Sequence, residues 1–294
     1  MTNRTTIQSL AQAGYAISVA EHVASIEAEI RNQPGVASHR WALFQWLCVA
    51  RQWDRAILQL QVFGQLDGAR TPVVQAYRDL LKSEKWRERV MQGHARPGHV
   101  FDDEPAWMHA LATALELTAK GELSAADDAR EQALDAAPVT EGKAGEAPFD
   151  WIADSDSRLG PICEIMTAGS YRWLAFEHVA AWQVAKPATL IDLIWAPCSI
   201  ALKDGTLVRG FMPARYTHSF DTGAGNADAL ALGRETVWQQ VGLTGVVAAG
   251  RKTWATSTGD IGLFELRDCT FGGAEVESEV TASAAETGHG VEPS

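Results

Sequence analysis

The sequence predicts a multidomain α and β protein, with an N-terminal helical repeat domain over residues 1–139 and a C-terminal α+β domain, largely antiparallel β, over 149–271. Three observations carry this. Apolar residues recur at helical spacing from about Leu10 to about Pro138. Residues 140–148 are rich in Gly, Ala, Glu and Pro without an apolar period, and read as a linker. Beyond them, short apolar runs alternate with turn residues, the pattern of strands.

In the first half, Trp41, Phe44, Leu47 and Cys48 fall at i, i+3, i+6 and i+7. After a break at Arg51-Gln52-Trp53, Ala56, Leu60 and Phe63 continue the stripe on a second helix. A second pair begins behind Asp102-Asp103-Glu104-Pro105, where acidic residues and a proline suit a first helical turn. Trp107, Leu111, Ala114 and Leu115 form its apolar side; Ser124 is the expected cap of the helix running through Ala133 to Pro138. Gly121, Ala125, Ala129 and Pro138 fall where tetratricopeptide repeats place small residues and a closing proline, so both pairs resemble that repeat. Residues 10–34 read as a degenerate third copy, 73–91 as a longer helix, and 96–98 as a loop. Three copies are about the minimum that buries a repeat face.

In the second half, 162–167 and 171–176 flank Ala168-Gly169-Ser170 as a hairpin, and 199–203 and 206–212 flank Asp204-Gly205 as another. Residues 179–184, 235–241, 245–249 and 262–269 are further strands, and 189–195 a short helical turn. The tail over 272–294 carries five glutamates and no Lys or Arg, with too little apolar content to pack; disorder is expected there.

Composition excludes several functions. With 294 residues and 46% hydrophobic content the chain can bury cores without disulfide staples. Its four cysteines are scattered singly, as buried small hydrophobes in a reducing compartment are. The N-terminus lacks a signal-peptide pattern and no segment reaches membrane-span length, so a cytoplasmic location with no membrane partner is expected. A net charge of −12 disfavours nucleic acid as a partner, and no basic cluster is legible, Arg87 and Arg89 lying beside Glu84 and Glu88.

Candidate sites are few. Asp154 and Asp156, on alternate residues, could share an ion or a proton. The structural alternative has them accept backbone amides in a turn, with Arg158 neutralising one. The eight histidines, His218 among them, lack zinc-protease spacing, and Gly223-Ala224-Gly225 lacks a P-loop's Lys-Ser/Thr and reads as a flexible surface loop. No metal, cofactor or catalytic centre is therefore expected. Trp41 and Trp46 lie on different faces of one helix, so one is expected to face a groove. Arg215-Tyr216 could receive a partner's carboxylate, or the arginine could tie its strand end to Asp154 or Asp156.

The stretch Trp151-Ile152-Ala153-Asp154-Ser155-Asp156-Ser157-Arg158-Leu159-Gly160-Pro161, with Glu164-Ile165, Tyr171 to Glu177 and Pro213-Ala214-Arg215-Tyr216, resembles the signature of the ImpE/TagJ family. The helical half matches that family in architecture; Thr217-His218 departs from it, standing where a proline is expected. The resemblance implies a non-enzymatic adaptor of bacterial type VI secretion. It would bind the contractile sheath small subunit, whose amphipathic helix a repeat groove could hold, and the AAA+ ATPase that disassembles the sheath. The alternatives are a general repeat scaffold outside secretion and an enzyme using Asp154, Asp156 or His218.

Overall fold

A computed structural model describes residues 18–217 and 224–272. Six helices build the first part: α1 (Val19–Asn32), α2 (Ala37–Val49), α3 (Trp53–Leu66), α4 (Thr71–Met91), α5 (Ala106–Ala119) and α6 (Leu123–Ala136). Helix α1 starts at a capping box between Ser18 and Glu21, and α4 carries Pro72 in its first turn, where a missing N–H costs nothing. Helices α2 and α3, and α5 and α6, pack as consecutive pairs. Two helix starts differ from expectation. Ser124 does not cap α6, which begins at Leu123 with no side-chain cap. The acidic residues 102–104 precede α5 instead of entering its first turn, and Glu104 lies 3.3 Å from His99 and 3.5 Å from His109.

The strands are β1 (Gly98–His99), β2 (Gly142–Ala144), β3 (Ala147–Phe149), β4 (Ile152–Asp154), β5 (Ile162–Thr167), β6 (Ser170–Ala175) and β7 (Val179–Val184). They continue with β8 (Trp195–Leu202), β9 (Leu207–Pro213), β10 (Thr236–Val241), β11 (Gly245–Gly250), β12 (Thr253–Thr256), β13 (Gly259–Gly262) and β14 (Asp268–Phe271). A nine-stranded sheet runs β1-β6-β5-β9-β8-β7-β14-β2-β3, antiparallel except for the β1–β6 pair. Strands β13-β12-β4 form a small second sheet, and β10-β11 a hairpin.

The segment read as a linker is part of the large sheet: β2 pairs with β14, and β3 folds back on β2. Its Gly- and Ala-rich composition suppresses the apolar period without preventing edge pairing. The single strand expected over 262–269 is instead two strands of different sheets, and the turn between them closes where Glu265 accepts the Gly262 amide at 2.8 Å. The glycine stretch read as a surface loop runs into a helix, α7 (Ala224–Ala231). Gly223, His218 and the tail beyond residue 272 lie outside the described residues.

Both faces of the large sheet are covered, which is why β5 is buried at five consecutive positions. One face, through Met166, Tyr171, Trp173 and Trp195, shares a continuous core with Phe44, Leu47, Leu60 and Leu81 of the helices. On the other, Cys163, Trp182, Ile200 and Phe271 pack with Trp254 of the small sheet. Helical and strand parts thus meet across a common core rather than across a linker. Among the described residues, no helix is long and apolar enough to cross a membrane.

Candidate functional site

The acidic turn after β4 lies in the interior. Asp156 is fully buried and Asp154 nearly so. Asp154 Oδ1 accepts the Asp156 amide at 2.9 Å; Asp156 in turn accepts the Arg158 amide and, across to β11, the Ala248 amide, each at 3.0 Å. The Arg158 guanidinium grips both Asp156 oxygens, with Nε 2.8 Å from Oδ1. This is the local arrangement expected of a structural turn, because both Asp156 oxygens and Asp154 Oδ1 have donors they would otherwise lose on leaving water, while Asp154 Oδ2 faces the Lys252 ammonium.

Glu164, in the middle of β5, extends the cluster. It receives Arg87 of α4 in two parallel bonds (Nε–Oε1 2.7 Å, Nη2–Oε2 3.0 Å), the Tyr171 hydroxyl at 2.6 Å, and Lys252. Arg87 also bonds Glu84 at 3.0 Å, whose other oxygen takes the Trp195 indole N–H at 2.9 Å. Lys252 contacts Asp154 as well as Glu164. Four carboxylates (Glu84, Asp154, Asp156, Glu164) therefore meet three cations (Arg87, Arg158, Lys252). Burial alone would raise the Glu164 pKa, but Arg87 and Lys252 hold it well below the usual carboxylate range. Asp154 carries the excess: burial pushes it up to about 6, against the pull of Lys252.

Arg215 and Tyr216 part company. Tyr216 joins the cluster, its hydroxyl 2.8 Å from Asp154 Oδ1 and 2.9 Å from the Thr253 carbonyl. Arg215 does not reach Asp154 or Asp156. It donates to the Cys48 carbonyl at 2.6 Å and the Val49 carbonyl at 2.8 Å, and to Ala231 at the end of α7. Two helix C-termini, each with unpaired carbonyls and a partial negative charge, take the guanidinium in place of a carboxylate. Burial, and then the nearby Arg51 charge, lower its pKa to about 9.

The two tryptophans of α2 differ in burial. Trp46 is buried, stacked on His22 with centroids 4.1 Å apart, and Trp41 packs among Phe44, Phe63 and Tyr77. Trp46 is thus enclosed, and Trp41 is partly buried in an aromatic cluster. Trp151 of the signature is half-exposed. Periodicity did not single out Glu84, Arg87, Glu164 and Lys252, although one signal existed: Glu84 and Arg87 fall on the same stripe as Leu80, Leu81, Val90 and Met91, charges where an amphipathic helix places apolar residues.

Chemically, the cluster is spent on itself. The signature carboxylates face amides, a phenol and buried cations, and no described cluster of three or more His, Cys, Asp or Glu is placed to hold a metal. All four cysteines are free and buried, and burial pushes the Cys198 thiol up to about 12, far from a thiolate at neutral pH.

The comparisons agree with the signature. Residues 146–270 match the family model described as ImpE protein. The chain is 40% identical, over 248 residues covering 84% of it and 85% of the relative, to the type VI secretion system accessory component TagJ of Pseudomonas aeruginosa. The chain belongs to the ImpE/TagJ family. A crystal structure of a Vibrio parahaemolyticus protein shares the fold, with a TM-score of 0.81 at 21% identity over 91% of this chain and 98% of that one.

Proposed function

We propose that this chain is an accessory protein of bacterial type VI secretion, acting in the cytoplasm as a non-enzymatic adaptor that binds the contractile sheath small subunit and the sheath-disassembling AAA+ ATPase. The observation that carries the reading is the 40% identity to a type VI accessory component along most of both chains. The site's geometry supports the non-enzymatic part. A catalytic carboxylate must reach its substrate, whereas Asp156 and Glu164 are fully buried in ion pairs and Asp154 is enclosed by Tyr216, Lys252 and the Asp156 amide. The helical half, with its paired helices read as tetratricopeptide-like, supplies the groove for a partner helix.

Isothermal titration of the purified full chain with the sheath small subunit, and separately with the ATPase, tests this. The full chain is needed because helices and sheet share one core. A stoichiometric complex with the sheath subunit is expected; heats indistinguishable from dilution for both partners overturn the adaptor reading.

A further inference from the structure

Strand β10 presents an open edge. In the β10–β11 hairpin the register runs unbroken from Thr236↔Gly250 to Val241↔Gly245, and the Arg251 amide donates to the Glu235 carbonyl at 3.0 Å. Val237, Gln239 and Val241 therefore turn their backbone groups toward β11, while Thr236, Trp238 and Gln240 turn theirs away. The far side of β11 has the same phase. There the Ser157 amide donates to the Val246 carbonyl at 2.9 Å, the Ala248 amide to Asp156 at 3.0 Å, and the Tyr216 amide to the Gly250 carbonyl at 2.9 Å. On β10 the amides and carbonyls of Thr236, Trp238 and Gln240 have no partner among the described residues.

Sheet edges are usually protected from pairing by shortness, charge, proline or a bulge. The other sheet ends of this fold follow that rule: β1 has two residues, β3 contains Pro148, β4 has three residues, and β13 carries Asp260 between glycines. Strand β10 does not. Its six residues, Thr236-Val237-Trp238-Gln239-Gln240-Val241, contain no charge and no proline, and its pairing has no register shift. Trp238 is 45% exposed on this strand, its indole N–H anchored on the Ser155 hydroxyl at 3.1 Å.

We propose that β10 pairs antiparallel with β10 of a second copy of this chain, about a twofold axis at Trp238. Register commits the edge to that occupant. Thr236 then lies opposite the second copy's Gln240, Trp238 opposite its own equivalent, and Gln240 opposite Thr236, each pair exchanging both backbone bonds, so every outward amide and carbonyl of the two strands is satisfied. A slip by two residues leaves Thr236 or Gln240 beyond the end of the partner strand. Charge points the same way: two copies of a chain of net charge −12 repel on average, and an uncharged strand is where they meet at least cost. The interface is isologous and joins two hairpins into one four-stranded sheet, bringing two helical halves into one assembly. A strand pair of this length buries less than the roughly 1,600 Å² of a standard interface, so the dimer is weak and depends on concentration. The inference goes beyond the adaptor reading and does not rest on it.

Sedimentation velocity of the full chain, from about 1 μM to about 1 mM, tests this, and a reversible rise from monomer to dimer is expected. Trp238→Lys and Trp238→Glu should each weaken association at least about tenfold, because like charges then stand directly opposite; an equimolar mixture of the two should recover the dimer as a Lys–Glu pair. Trp238→Cys checks the register. Residues opposed in a hydrogen-bonded pair have Cα atoms about 5.5 Å apart, within disulfide reach, so mild oxidation should give a covalent dimer, whereas Gln239→Cys, two residues out of register with its own equivalent, should not cross-link. The four native cysteines are buried, and circular dichroism melts establish that the variants, at exposed positions, are folded. A chain that stays monomeric at every concentration, leaving the edge to another protein, overturns the proposal. So does unchanged association in folded Trp238→Lys, failure of the mixture to dimerise, or cross-linking of Gln239→Cys as readily as Trp238→Cys.

Discussion

Arg87 on α4 and Glu164 on β5, 77 residues apart in sequence, form a fork-to-fork ion pair in the interior of the protein, with bonds of 2.7 and 3.0 Å. The pair ties the helical layer to the sheet at the centre of their shared core. A buried pair of this kind stabilises little relative to apolar side chains of the same volume, since desolvation offsets the attraction, but removing one member strands the other. Its value is register: this placement of α4 on the sheet satisfies Glu164, Glu84 and Trp195 together.

Replacing Arg87 by Ala should therefore cost about 3–5 kcal/mol in urea unfolding, because Glu164 and Glu84 both lose a charged donor while buried. Arg87→Lys should recover only part, since an ammonium cannot make the bidentate contact. A loss below about 1 kcal/mol would mean that the pair does not hold the two layers together.

The Asp154 carboxyl, raised from 3.8 to about 6, stabilises the fold in its protonated form, fully below about pH 4 and progressively less as pH rises through 6. The depressed Glu164 has the opposite sign, its contribution disappearing as pH falls through its folded pKa. Comparing wild type with Asp154→Asn isolates the first effect. Between pH 4 and pH 7 the variant should gain about 2 kcal/mol relative to wild type, since a tenfold change in proton affinity between folded and unfolded chains is worth about 1.4 kcal/mol and part of the shift is already lost at pH 4. Parallel stability profiles across that range would show that Asp154 titrates normally.

Gly242, in the β10–β11 turn, has φ +71°, and a Cβ there would stand 2.6 Å from Asp127 Oδ2. Asp127, on α6, grips the same turn, accepting the Leu243 amide at 2.9 Å and the Thr244 amide at 3.0 Å, and these bonds lower its pKa to about 2. Gly242→Ala should destabilise by about 1–3 kcal/mol through the left-handed backbone and the displaced carboxylate. An NMR titration should show the Asp127 pKa rising toward its ordinary value; an unmoved value in a destabilised variant would show that the clamp survives.

Much of the architecture was legible because it is written locally. The helical stripe from Trp41 to Phe63 anticipated α2 and α3, and Asp204-Gly205 marked the β8–β9 turn. The contact of Asp156 with Arg158 could be read too, since only Ser157 separates them and the turn chemistry is local. Strands β2 and β3, at one end of the large sheet, were not legible, because their glycines and alanines acquire strand character only when β2 pairs with β14 and β3 with β2.

By itself the sequence determined the helices, most of the strands and the acidic turn, for each follows from a period or turn within a few residues. Tertiary structure alone decided who meets whom: that Arg215 caps two helix ends instead of pairing with an aspartate, that Lys252 sits between Asp154 and Glu164, and that Lys82, Lys85 and Arg89 share a groove with Arg96 and Arg172. The reason is physical. A charge buried away from water takes whichever partner the packing brings within reach, and the chain's order carries no record of that distance.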